Sequence, residues 1–514
     1  MSIPGPLVLA ILDGWGIAPD SPSNAVTQAR TPVLNGWRRM YPHTELQSSG
    51  LAVGLADGQD GNSEAGHMNL GAGRVVAQDD SRISQSINEG TFFRNPAFLA
   101  AIHHVQKHHS TLHLMGMFGN TQSAHSNPDH LLALLLLAHN HRLPNVKLHL
   151  FTDGRDSPRY FARDIMNKFF PHFGNATVAT VMGRVYAMDR NKNWSRTEAA
   201  YQAIVQGQAS HHVADPKEAI TQAYNRGESD EFIEPTVIGN YRGMNDHDAI
   251  IFFNLRSDRA RQLTKAFVQP NFEQQNAPTK PFHRSRLVEG LTFVAMTDFG
   301  PDLDSILTAY PAVELPGTFP IALKDKRQLY IAESEKYAHV TYFFNGGYAS
   351  PVGGEDREMV ASPTVATYDL TPAMSSKEIT DRVVEVIQRR LYDVIVLNYA
   401  NTDMVAHTGN LAAGIAAMEF TDACLGRLAE AVLAADGLLA VTGDHGNLEE
   451  MKNLGTGEVD TEHSTFPVPL FLVGKTVVGL HLRPGALGDV APTLLALLGH
   501  PIPPEMTGHN LVQA

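Results

Sequence analysis

Five short islands of this sequence gather the side chains that could do chemistry: Asp13 in ILDGWG, Ser63 in GNSEAGH, Asp403 and His407 in NTDMVAH, Asp444 and His445 in TGDHGN, and His463 in TEHSTFPVP. Carboxylates and imidazoles are ligands for divalent cations such as manganese, zinc or cobalt. Asp403 and His407 are four residues apart, so on a helical turn they share a face and can converge on one ion. A third ligand such as His463 then fills a site of mixed oxygen and nitrogen character. Asp444 and His445 sit in a glycine-bracketed turn, where adjacent side chains can point to different ions or to the same one. Six candidate ligands (Asp13, Asp403, His407, Asp444, His445 and His463) exceed what one open catalytic centre needs. They suit a pair of ions ~3.5–4 Å apart. Ser63 is the candidate nucleophile. Its hydroxyl is weak at neutral pH, and coordination to a divalent cation would lower its pKa without a histidine base. The run GNSEAGHMNLGAGR places Ser63 at the start of a helix behind glycines, where unpaired N–H groups and the helix dipole favour a phosphate. Serine at that position is also a preferred N-cap, so the combination carries the reading rather than any one island.

A second constellation is built of arginines. Asp153, Arg155 and Asp156 follow one apolar run, Arg184 follows another with Asp189 and Arg190 close behind, and Arg256, Asp258 and Arg259 follow a third. Planar guanidinium forks grip carboxylate or phosphate in bidentate fashion, which is what a site for a small, multiply charged anion requires. The interleaved aspartates could orient the forks; the plainer alternative is surface ion pairing. His125 in TQSAHSNPDH could contact substrate or assist proton transfer near pH 7. Lys336 in AESEKYAH could neutralise phosphate charge, although a lysine read alone is a solvated one.

Positioning these side chains needs strands that end beside them. Short apolar runs recur, each closing on a polar or glycine-rich turn: LVLAIL before Asp13, LHLMGMF before Gly119, VKLHLF before Asp153, ATVATVM before Gly183, AIIFF before Asn254, DVIVLN before Tyr399 and GLLAVT before Gly443. Segments between them, such as SKEITDRVVEVIQRRL from Ser376, have helical spacing of apolar positions. Strand, turn and helix in alternation predict an α/β fold with mainly parallel sheets, in which ligands bind beyond the carboxyl ends of the strands. The metal-type residues flank the arginine segment on both sides. This predicts two α/β domains: a discontinuous metal-binding domain of residues 1–77 and 312–514, and an inserted domain of residues 78–311. The stretch from Gly300 to Phe319 and the Pro- and Gln-rich stretch from Gln269 read as loops.

Composition narrows the classes. A chain of 514 residues, 43% of them apolar, can bury sizeable cores. The formal net charge of −14 argues against nucleic acid or anionic membrane as a partner held by general electrostatics. Any anionic ligand must be held by local cations. Cys424 is the only cysteine, which precludes an intramolecular disulfide and fits a reducing, cytoplasmic setting. The N-terminal apolar run lacks a preceding Lys or Arg and reads as a strand, and LLALLLLA from Leu131 is too short for a bilayer, which needs ~20 apolar residues. No membrane segment is expected. Nothing in the sequence demands a partner subunit, and a monomer is expected.

Taken together, ILDGWG, GNSEAGHMNLGAGR, FTDGRD, VMGRVYAMDR, NLRSDRA, ESEKYAHVTYFFNGG, VLNYANTDMVAHTG, GDHGN and EHSTFPVP closely resemble the cofactor-independent phosphoglycerate mutases, in order and spacing along nearly the whole chain. The resemblance implies an alkaline-phosphatase-like metal domain with an inserted phosphotransferase domain. It further implies that 3-phosphoglycerate and 2-phosphoglycerate are interconverted without 2,3-bisphosphoglycerate, through phosphorylation of Ser63. By the same resemblance one manganese ion would be held by Asp403, His407 and His463, and a second by Asp13, Ser63, Asp444 and His445. His125, Arg155, Asp156, Arg184, Arg190, Arg256, Arg259 and Lys336 match the family's substrate-binding positions. The chain departs from the family where His-Ser-His is usual, since Asn127 stands in place of the second histidine. A metal-dependent phosphatase built on the same metal domain is the nearest alternative activity.

Overall fold

The computed structural model describes residues 3–120, 123–300, 302, 303 and 305–513. The chain divides into two compact units, one formed by residues 1–78 and 313–514 and the other by residues 79–312.

The first unit is built on a sheet whose strands lie in the order Asp356–Val360, Gln328–Glu333, Val394–Tyr399, Leu7–Leu12, Leu438–Gly443, Val468–Val473, His43–Gln47 and Gly485–Ala486. Only Val468–Val473 runs against its neighbours. The Leu7–Leu12 strand is apolar throughout because both its faces are covered. Val8, Ala10 and Leu12 point to one core, with the helices Ser376–Gln388 and Leu411–Ala434. Leu7, Leu9 and Ile11 point to the other, with the helices Ser63–Ala72 and Val490–Leu497. Cys424 packs in the first of these cores.

The second unit repeats the principle. Its strands lie in the order Leu307–Tyr310, Thr292–Thr297, Ala249–Phe252, Leu112–Met117, Val146–Thr152, Thr177–Gly183, Thr236–Ile238 and His211–Val213, the last two antiparallel to the other six. Leu112 and Leu114 face a core with the helices Pro96–His108 and Pro128–Asn140, while Met115 and Met117 face one with Trp194–Gln206 and Ser257–Val268. Asn127 caps the helix Pro128–Asn140 through Asp129 N and also donates to Asp80 Oδ1 at 2.9 Å.

The α/β expectation and the strands expected from apolar runs are met. One loop expectation is corrected and a second is refined. The stretch after Gly300 contains the strand Leu307–Tyr310, whose exposed Leu307 and mixed polarity hide it at a sheet edge. The stretch from Gln269 is mostly exposed, as expected, but it holds the short helix Phe272–Gln275, anchored by Phe272, 1% exposed in the aromatic core, and Gln269 accepts from buried Asn276 at 2.7 Å.

Candidate functional site

Four adjacent parallel strands of the first unit deliver the metal-type residues from their carboxyl ends. Lys336 follows Gln328–Glu333, Asp403 and His407 follow Val394–Tyr399, Asp13 follows Leu7–Leu12, and Asp444 and His445 follow Leu438–Gly443. The turns are tight. Gly14 has φ +70°, and a Cβ there would stand 2.9 Å from the Asp403 Cβ; a Cβ on Gly66 would meet the Asp444 carbonyl oxygen at 2.5 Å. Asp13 N–H donates to Tyr399 O at 3.1 Å, and Thr402 Oγ1 donates to Asp13 O, so adjacent strand ends are tied together.

Ser63 is the first residue of the helix Ser63–Ala72, and the cap is Asn62, whose side chain accepts from Ala65 N at 2.9 Å. The hydroxyl is therefore released from capping. Ser63 Oγ donates to Asp13 Oδ1 at 3.0 Å, lies 3.0 Å from His445 Nε2, and accepts from Lys336 Nζ at 2.9 Å. Lys336, 5% exposed, also donates to Asp13 Oδ1 at 2.6 Å and to Asp403 Oδ2 at 2.7 Å. It is a buried bridge, where a lone lysine would be read as solvated.

The donor atoms fit cations. His407 Nδ1 donates to Thr461 O at 2.7 Å and His463 Nδ1 to Gly61 O at 2.8 Å, which leaves lone pairs on both Nε2 atoms. Those atoms face each other at 3.2 Å, and each lies 3.4 Å from Asp403 Oδ1. Three acceptors so close repel unless a proton or a metal ion sits among them. Similarly, Asp444 Oδ2 is buried without a hydrogen bond, 3.2 Å from His67 Nδ1. Asp444 Oδ1 meanwhile accepts from Gly14 N and His445 N, at 3.1 and 3.0 Å.

Electrostatics point the same way. Burial would raise the Asp13 carboxyl, but Lys336 and His445 outweigh it and hold it well below the usual carboxylate range. Asp403 is likewise lowered against its burial, by His407 and Lys336. Burial opposes a charge on His445, yet Asp444, Asp13 and Asp403 push it up to about 10. Asp403 raises His407, whereas burial and His445 lower His463. The buried carboxylates thus hold positive charge on Lys336, His407 and His445, the setting of a cation site.

Several contacts of this cluster were not singled out from the sequence. His67 donates from Nδ1 to Ser63 O at 2.9 Å, and Asn398 donates to Asp13 Oδ2 at 2.7 Å and meets His67 Nε2 at 3.1 Å. Asn447 donates to Asp403 Oδ1 at 2.7 Å. Buried Glu449 accepts from Gly16 N at 3.0 Å, from Asn447 N at 2.9 Å and from Ser464 Oγ, which shapes the turn carrying Asp444. Helical spacing from Ser63 to His67 is the one signal that could have found His67; Glu449 has none, because its partners are distant or backbone.

In the second unit His125, Arg155, Asp156, Arg184, Arg190, Arg256 and Arg259 also come together. Arg184, 2% exposed, pairs with Asp153 and, at 3.1 Å, with Asp156 Oδ1, and Asp156 Oδ2 accepts from Ser123 Oγ at 2.7 Å. Arg190 pairs with Asp258 Oδ2 at 2.6 Å, and Arg256 lies 3.9 Å from Asp258 Oδ1. Burial and then Arg184, Arg190 and Arg155 lower Arg259 to about 10, so it stays charged at neutral pH among like charges. Burial, Arg184 and Arg256 lower His125 to about 3, and its buried Nδ1 has no partner. A neutral imidazole inside a set of five guanidiniums and four carboxylates (Asp153, Asp156, Asp258 and Glu231, the last 3.9 Å from Arg155 Nε) leaves a surplus of one positive charge, which suits an anion.

A fold of parallel strands with buried carboxylates and imidazoles at their carboxyl ends defines a metal-dependent enzyme, and the model of the Metalloenzyme superfamily matches residues 5–502. A 2,3-bisphosphoglycerate-independent phosphoglycerate mutase of Chloroflexus aggregans is 47% identical, the match covering 100% of this chain and 99% of that protein. The enzyme of that name from Yersinia pseudotuberculosis is 44% identical over 98% of both chains. The crystal structure of Leishmania mexicana phosphoglycerate mutase at low cobalt concentration superposes with a TM-score of 0.80 at 28% identity, covering 100% of this chain and 98% of that one. The chain belongs to the family of 2,3-bisphosphoglycerate-independent phosphoglycerate mutases.

Proposed function

We propose that this protein interconverts 3-phosphoglycerate and 2-phosphoglycerate, in glycolysis and its reversal, with Ser63 as the transient phosphoryl carrier and no 2,3-bisphosphoglycerate. The observation that carries the reading is the setting of Ser63 Oγ, 3.0 Å from both Asp13 Oδ1 and His445 Nε2 and 2.9 Å from Lys336 Nζ, at a helix N-terminus. Two divalent ions, manganese foremost, belong to this reading: one held by Asp403, His407 and His463, the other by Asp13, Ser63, Asp444 and His445. When bound, such ions lower the pKa of a coordinated hydroxyl and offset charge on a transferring phosphoryl group.

The chain's own residues account for the rest. Ser63 Oγ gives up its proton and forms a bond to phosphorus as the bond to the substrate's 3-oxygen breaks, and a proton is delivered in balance to that oxygen, which leaves phosphoserine and glycerate. The 2-hydroxyl then gives up its proton and attacks phosphorus, the Oγ–phosphorus bond breaks, Ser63 Oγ regains a proton, and 2-phosphoglycerate results. Lys336 offsets charge on the phosphoryl oxygens. His125, Arg155, Asp156, Arg184, Arg190, Arg256 and Arg259 hold the glycerate while it reorients, with the aspartates orienting the guanidinium forks. Retention matters, because water attacking the phosphoserine would make the protein a phosphatase. Among the described residues no helix is long and apolar enough to cross a membrane. A cytoplasmic monomer acting on a small metabolite, without nucleic acid or membrane as partner, is the simplest setting.

Phosphorus NMR of the purified protein with 3-phosphoglycerate and manganese tests this, with Ser63→Ala alongside. A 2-phosphoglycerate signal that the variant fails to produce is the expected result. Release of inorganic phosphate instead would make the protein a phosphatase and leave its arginine cluster unexplained.

A further inference from the structure

The second unit holds a histidine cluster that the reaction does not use. His104 and His108, in HHVQKHHS, lie one turn apart on the helix Pro96–His108, and His247 precedes the strand Ala249–Phe252. All three gather where the strands of this sheet begin, whereas His125, Arg155, Arg184 and Arg256 follow strand ends. The six residues of the strand Leu112–Met117 separate the two edges by roughly 20 Å at the usual rise per residue.

The three rings form one group. Centroids of His104 and His108 are 4.6 Å apart, and His108 stacks on His247 at 4.4 Å with planes 9° apart, so the exposed His247 ring must turn about its side-chain torsions for the lone pairs of both rings to meet one ion. One nitrogen from each ring lies within 4.8 Å of the other two. His104 Nε2 is buried and has no hydrogen-bond partner. The arrangement is held from outside the rings. Ser110 Oγ donates to His247 O at 2.6 Å, and His247 N–H donates to Glu289 O at 2.8 Å. The next residue, Asp248, accepts from Thr111 N at 2.8 Å and Asn245 N at 2.7 Å, and lies 3.1 Å from His113 Nε2. His247 itself sits at φ 63°, in the left-handed region that histidine enters more readily than most side chains.

We propose that His104, His108 and His247 form a transition-metal site distinct from the cluster around Ser63. Two histidines four apart on a helix present their rings to one ion, and a third from a loop completes the three-imidazole set that zinc, nickel and copper ions accept. With no carboxylate in the triad it discriminates against manganese and magnesium, which favour oxygen ligands. The ion would pin the end of the helix Pro96–His108 to the loop that enters the Ala249–Phe252 strand.

The test uses full-length protein in excess manganese, dialysed against micromolar nickel, with bound nickel counted per chain. Wild type is compared with His108→Gln and with His247→Asn, the second being an exposed position where asparagine tolerates the left-handed backbone. The expected result is one nickel equivalent fewer in each variant than in wild type, with phosphoglycerate turnover unchanged. Equal nickel counts in wild type and His247→Asn would overturn the site. Should His108→Gln misfold, His247→Asn decides alone, and retained turnover certifies that it is folded.

Discussion

Replacing Lys336 by methionine probes the centre of the cluster. The change keeps much of the side chain's volume but removes one positive charge and the contacts to Asp13 Oδ1 at 2.6 Å, Asp403 Oδ2 at 2.7 Å and Ser63 Oγ at 2.9 Å. Asp13 is fully buried and Asp403 is 1% exposed, so neither can turn to water for compensation. Removing one partner of a buried ion pair costs about 3–5 kcal/mol, and chelated protein should lose that much in urea unfolding. With divalent metal in excess the loss should shrink, because dications substitute for the missing ammonium beside the same carboxylates. Activity should not recover in parallel. A preorganised donor to a charge that develops during reaction is worth about 2.7–4 kcal/mol, so kcat should fall roughly 100- to 1000-fold even at saturating metal. The assay is 2-phosphoglycerate formation with manganese titrated to saturation, next to denaturation with and without chelator. A kcat within threefold of wild type would refute the assignment of Lys336 to the reacting charge.

Arg256→Ala should raise KM for 3-phosphoglycerate by roughly tenfold to a hundredfold with little change in kcat, since a hydrogen bond to a charged group is worth about 1.5–3 kcal/mol and this one binds throughout the reaction; steady-state kinetics decide, and an unchanged KM removes Arg256 from the anion site. Protons compete with metal for His407, His445 and His463, so activity should fall as pH drops from 8 to about 6, and raising the metal concentration should move that fall to lower pH; a profile that ignores metal concentration counts against the ligand set. Glu333 is buried and its carboxyl is raised from 4.5 to about 7, by burial first, with Ser375 N–H opposing. The folded state therefore favours its protonated form, so its stabilising contribution is full below about pH 4.5 and is lost as pH rises through 7. The stability gap between wild type and Glu333→Gln should shift by roughly 3 kcal/mol over that window, read by urea unfolding at pH 4.5 and 8.

What the sequence made legible followed from apolar runs and from residues grouped in short islands. LVLAIL, DVIVLN and GLLAVT are strands because both faces of their sheet are covered, and the residues just past them are those the structure brings to Ser63. The strand Gln328–Glu333 was illegible because its ends are polar yet buried: Gln328 donates to Pro320 O, Leu323 O and Gly353 O, and Glu333 accepts from Ser375 N. Val468–Val473 carries Pro469 inside the sheet, where a proline argues against a strand. At the site, candidate ligands separated by hundreds of residues could be grouped through their islands, but Asn398, Asn447 and Glu449 act through contacts that no spacing encodes. Lys336 reads as a surface residue until three partners close around it.

The central strand of the first sheet has a consequence for synthesis. Leu7 pairs with Val394 on one side and Leu438 on the other, while residues 79–312 form a continuous unit of their own. The ribosome delivers the middle of the chain before the first strand has either neighbour, so the later unit can fold first while Leu7–Leu12 waits, apolar and unpaired. At ~5–20 residues per second, Leu12 precedes Tyr399, the end of its first partner strand, by roughly 20–80 s. The nascent chain must shield that strand for the whole interval, which makes the amino terminus the natural point for chaperone engagement and aggregation when translation stalls.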